Sequence, residues 1–107
     1  MSGDIKDRIR SVENFTFSRH FRHKAKIRGI SEEEILSCLK NLQNLDYSEF
    51  QGDEPQGSKY ALLFHKSGKY DLKLVISIKE KSLNVVTAHI QNKKKRKVLE
   101  KWLRMRK

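Results

Sequence analysis

Tyr70-Asp71-Leu72-Lys73-Leu74-Val75-Ile76-Ser77-Ile78-Lys79 is the stretch that decides the fold. Tyr70, Leu72, Leu74, Ile76 and Ile78 share one phase of a two-residue period, and Asp71, Lys73, Ser77 and Lys79 share the other. Side chains of an extended chain alternate between the faces of a sheet, so this is a strand with one face in the core. Upstream, Tyr60-Ala61-Leu62-Leu63-Phe64-His65 reads as a second strand, joined to the first by a turn at 66–69. Downstream, Glu80-Lys81-Ser82 turns the chain into a third, Leu83 to Ile90. There Val86, Ala88 and Ile90 are expected on one face, and Val85, Thr87 and His89 on the other. Three runs joined by short turns make an antiparallel meander. Residues 47–51 offer a fourth strand at its edge, and 52–58, with Gly, Asp, Pro and Ser, read as a loop.

The flanks change period. From Ser31 to about Asn44, Ile35, Leu36, Leu39 and Leu42 line one side of a helix. Ser31 and Glu34 have the spacing of a capping box, and Glu32 and Glu33 suit the positive end of the helix dipole. Arg19 to Arg28 is a basic helix closed by Gly29, with Phe21, Ala25 and either Ile27 or Arg28 inward. Residues 14–18 read as extended, with Phe15 and Phe17 alternating with small polar residues. Residues 1–13 form a helical extension carrying Ile5, Ile9 and Val12. Residues 93–107 form a basic terminal helix with Val98, Leu99, Trp102 and Leu103 as its apolar stripe. The expected class is α+β: N-terminal helices on one face of an antiparallel sheet of three to four strands, with a basic C-terminal helix. The 107 residues are read as one domain. No apolar run approaches the roughly 20 residues that span a bilayer. The start of the chain has no apolar signal core, so a cytoplasmic protein without a membrane partner is expected. Cys38 has no second cysteine to pair with and reads as a small buried helix residue.

Charge points to the partner. Twenty-four Lys and Arg against thirteen Asp and Glu give a formal +11. Residues 93–107 hold nine basic residues and one acid, Glu100, a net +8 that leaves +3 for the other 92 residues. Such a chain attracts polyanions, RNA foremost, and salt weakens the attraction. In this reading Lys93, Lys94, Lys95, Arg96 and Lys97 grip phosphates, although the same run also matches a nuclear-import signal. Trp102 is expected to pack on the sheet rather than stack on a base.

The residues that carry chemistry are few. His20 and His23 lie three apart on one helix face, but no acid or cysteine has matching ligand spacing, so no metal and no cofactor are expected. If Leu72, Leu74, Ile76 and Ile78 face the helices, then Lys73, Ser77 and Lys79 face away, and His65 and His89 join them. Cleavage of RNA needs a base for the 2′-hydroxyl, an acid for the leaving 5′-oxygen and cations around the phosphate. Histidine titrates near neutrality and suits the first two roles; lysine and arginine suit the third. His65, Lys73 and His89 are therefore candidate catalytic residues, with Lys79 as a further phosphate contact. The adjacent Glu32, Glu33 and Glu34 splay around a helix start and are better explained by capping. No glycine-rich phosphate loop, nucleophile elbow or zinc motif is present.

The segment His20-Phe21-Arg22-His23-Lys24-Ala25-Lys26-Ile27-Arg28-Gly29-Ile30-Ser31-Glu32-Glu33-Glu34-Ile35 resembles a motif of small prokaryotic domains similar to the BrnT- and RelE-type toxins of toxin–antitoxin systems. The motif has a histidine, a basic helix, then Arg-Gly-Ile-Ser and an acidic helix start. Its histidine falls on His20 and its last arginine on Arg28. Its midway arginine is Lys24 here, and its usual alanine after the histidine is Phe21. The meander with Val85-Val86-Thr87-Ala88-His89 and the basic tail fits the same layout. The resemblance implies a RelE-like fold with a curved sheet, metal-independent endoribonuclease activity of the mRNA-interferase kind, and an antitoxin partner. It implies roles for His20, Lys24 and Arg28. Two other readings stay open: a noncatalytic nucleic-acid-binding module on the same fold, and an interaction domain for an acidic protein.

Overall fold

A computed structural model describes residues 2–92, apart from the side chains of residues 2–4, Ala25 and Lys26. The expected C-terminal helix, its run Lys93 to Lys97 and Trp102 lie outside the described residues. The elements run α1 (Ser2–Arg10), β1 (Asn14–Phe17), α2 (Arg19–Arg28), α3 (Glu32–Lys40), a 3-10 turn (Leu42–Asn44), β2 (Leu45–Glu54), β3 (Gly57–His65), β4 (Tyr70–Lys79) and β5 (Ser82–Asn92). The class is α+β.

The strands form one mixed sheet of five, in the order β1-β5-β4-β3-β2. This corrects the expectation of a three- to four-stranded antiparallel sheet. The extended segment before α2 is a strand, β1, as expected, but it joins the sheet as a fifth member and runs parallel to β5, Asn14 opposite Ser82 and Phe17 opposite Val85. A four-residue strand has too little pattern to name a partner so far along the chain. The expected loop at 52–58 is another correction. Both strands continue into it, Glu54 opposite Gly57, and only Pro55 and Gln56 turn between them.

Leu72, Leu74, Ile76 and Ile78 of β4 are buried as the alternation required, with Leu62, Phe64, Leu83 and Val85 beside them. Ile5 and Ile9 of α1, Phe21 of α2, and Ile35 and Leu39 of α3 close over this face. Arg28 and Ile27 are both exposed, and Ile27 keeps 71% of its surface, so neither joins the inner stripe. Tyr70 is exposed at the strand end.

Two bulges break the expected alternation. In β5, Val75 pairs with Thr87 and Ile76 with Val85, so Val86 is an extra residue. Val85 therefore turns into the core, against the expected pattern, while Thr87 and His89 remain on the face away from the helices. In β2, Leu45 pairs with Phe64 and Tyr47 with Leu63, which makes Asp46 the extra residue.

The α3 cap forms by half. Ser31 Oγ accepts a hydrogen bond from the Glu34 amide at 3.1 Å. The Glu34 carboxylate, however, pairs with Lys66 in the β3–β4 turn instead of reaching back. Ser31→Ala is expected to cost about 1 kcal/mol, which thermal unfolding would read as a fall in Tm of roughly 4–8 °C.

Candidate nucleic-acid interface

β1 covers β5 only from Ser82 to Val85. Beyond that point α2 lies along the strand and protects its edge. Ser18 begins this contact: its amide donates to the Val85 carbonyl at 3.1 Å and its hydroxyl to the Val86 carbonyl at 3.0 Å. The same hydroxyl accepts from the Phe21 amide at 3.0 Å, as an N-cap does. Phe21, 1% exposed, anchors the helix in the core.

At the far end of α2, Arg28 Nη1 donates to the Ala88 carbonyl at 2.8 Å and lies 3.5 Å from His89 Nδ1. His89 pairs across the sheet with Lys73 of β4. Three residues expected to act on RNA thus meet at one place, drawn from α2, β4 and β5. Lys73 also lines a hollow of about 210 Å³ on the face away from the helices, with Tyr47, Glu49 and Gln91. A guanidinium only donates hydrogen bonds, so it presents hydrogens to Nδ1. A neutral His89 ring facing it carries its proton on Nε2.

His20, Lys24 and Arg28 are four residues apart in turn and form one stripe on α2. The stripe leads away from His89, because eight residues of helix span about 12 Å. His20 is therefore an exposed outlier of the cluster. Lys79 is separated too: it lies six residues along β4 from Lys73, roughly 20 Å, and donates to the Pro55 carbonyl at 3.3 Å. His65 lies two strands from β5, where it pairs across the sheet with Asp71. It belongs with Asp71 and Asp46, whose ligand atoms and its own lie within 4.8 Å of one another. Asp71 was expected on the solvent face; it is 0% exposed. Alternation assigns a face and carries no information on what covers that face.

The two edges of the sheet differ in charge. α2 carries Arg19, Arg22, Lys24, Lys26 and Arg28 and no acid. β2, the opposite edge, carries Asp46, Glu49, Asp53 and Glu54 and neither lysine nor arginine. The helix along one edge of the sheet is thus purely basic, and the strand at the opposite edge purely acidic. Cys38 adds no nucleophile: burial, and then the Glu34 carboxylate, push its thiol above the usual range. Among the described residues no helix is long and apolar enough to cross a membrane.

The fold and this edge define an α+β domain with a basic helix laid along one side of its sheet. The chain belongs to the family described as Domain of unknown function (DUF4258), which matches residues 17–90. That span begins within β1 and ends on β5, and it includes Arg28, Lys73 and His89. Comparison with curated proteins and with solved structures gives no match.

Proposed function

We propose that this protein is an RNA-binding domain of the RelE/BrnT toxin kind that cleaves RNA without a metal, at the edge formed by α2 and β5. The observation that carries the reading is the contact of Arg28 with His89, 61 residues apart in the chain, beside Lys73. Arg28 holds the scissile phosphate and stabilises the charge that builds on it. His89 and Lys73 exchange protons with the attacking 2′-hydroxyl and the leaving 5′-oxygen. Lys24 and His20 extend the contact along the strand, and Lys93 to Lys97 add phosphate contacts. An antitoxin would silence the protein by covering this edge with acidic residues.

The noncatalytic reading has one observation in its favour. With Arg28 against Nδ1, neutral His89 offers a donor at Nε2, which holds a phosphate as readily as it transfers a proton.

Incubation of the full chain with end-labelled RNA in EDTA tests both. Cleavage to a 5′-hydroxyl and a 2′,3′-cyclic phosphate is expected. Binding should weaken steeply with salt, each phosphate contact contributing roughly 0.7 to the logarithmic slope on single strands. Intact RNA after long incubation, with binding retained, leaves the noncatalytic module. Absence of binding even at low salt removes both readings.

A further inference from the structure

The geometry points to a binding site for one divalent first-row metal ion, of which Zn²⁺ is representative, formed by Asp46, His65 and Asp71. The three come from three adjacent strands, and each is placed there by a separate feature of the sheet. Asp46 is the extra residue of the β2 bulge, the device by which a strand re-aims a side chain. His65 is the last residue of β3, and Asp71, the second of β4, is its cross-strand partner. Their ligand atoms all fall within 4.8 Å of one another. Nitrogen and oxygen ligands sit about 2.0–2.2 Å from zinc. Closing the set around an ion therefore takes movements of about 1 Å, within reach of the exposed side chains of Asp46 and His65.

Asp71 is fully buried and so fixed in the sheet, while Asp46 and His65 are exposed and can adjust around an ion. Bound to a metal, the three would offer two carboxylate oxygens and one imidazole nitrogen, a set carrying −2. One imidazole with two carboxylates suits zinc and its neighbours; magnesium prefers oxygen ligands alone. The exposed side of the cluster leaves room for water to complete the shell. The alternative occupant is a proton: an imidazolium between two carboxylates, with no metal.

The site lies two strands from His89, and the inference is independent of the RNA reading, because cleavage is assayed in EDTA. Isothermal titration of the metal-free full chain with Zn²⁺ at neutral pH should give one ion per chain and a raised Tm. His65→Ala and Asp46→Ala, both at exposed positions, should retain the parent's circular dichroism and bind at least ~10-fold more weakly. The double variant His20→Ala/His23→Ala should bind as the parent does. Uptake should release protons to the buffer, because metal ligands bind in their deprotonated forms. Absence of Zn²⁺ uptake by the parent overturns the site in favour of the imidazolium. So does uptake unchanged by His65→Ala and Asp46→Ala, or lost in the His20/His23 variant.

Discussion

His89→Ala is expected to slow RNA cleavage by about 10²–10⁴-fold, the range in which a positioned proton-transfer group contributes. Binding should change far less, because one hydrogen bond among many phosphate contacts is lost. Arg28→Ala should behave differently. It removes a phosphate contact and the hydrogen bond to the Ala88 carbonyl, so affinity and cleavage fall together, and the salt slope of binding to single strands drops by about 0.7. Lys73→Ala should resemble His89→Ala, since Lys73 is its cross-strand partner. Lys79→Ala should leave cleavage near the parent's, because Lys79 sits at the other end of β4. Cleavage that survives His89→Ala and Lys73→Ala but fails in Lys79→Ala would move the active face to the opposite end of the sheet.

Gly57→Ala is expected to destabilise the fold by about 3 kcal/mol, combining backbone strain with overpacking. Gly57 has φ +130°, and a Cβ built on it would lie 2.4 Å from the Ile78 carbonyl oxygen and 2.7 Å from its carbon. Both are backbone atoms in a central strand, so no side chain can yield. The fall in Tm should exceed roughly 10 °C. Gly52 supplies the control: its φ is +120°, and nothing lies within 4 Å of its added Cβ. Gly52→Ala should carry only the conformational cost, about 1 kcal/mol. Equal losses at the two positions would show that backbone conformation, and not the approach to β4, sets the requirement at Gly57.

Local pattern revealed what was local. Leu72, Leu74, Ile76 and Ile78 of β4 recur every second residue, and Ser31 with Glu34 marks the start of α3; both could be read directly. The parallel β1, the bulge at Val86 and the bulge at Asp46 depend on partners distant in sequence and leave no local sign. Because those bulges re-aim side chains, the inward turn of Val85 and the meeting of Asp46 with His65 were both hidden. Within the candidate interface, His89 and Lys73 were placed on a common face by alternation, and Arg28 came from a motif. That Arg28 meets them follows from α2 lying along the part of β5 that β1 leaves uncovered, a tertiary fact. Lys79 and His65 satisfied the same face and residue-type criteria, and His20 came from the same motif as Arg28; distance along β4, strand order and helix rise separate them from the cluster.

The pairing of β1 with β5 also sets a timetable for synthesis. Thr16 bonds Asn84 across 68 residues of chain. At about 5–20 residues per second, β1 leaves the ribosome roughly 3–14 s before its partner. During that interval α2 and α3 have emerged without the sheet that Phe21, Ile35 and Leu39 cover in the finished molecule. Final closure must therefore wait for the end of β5, and the nascent chain carries bare apolar helix faces until then, which makes it a natural client for chaperones.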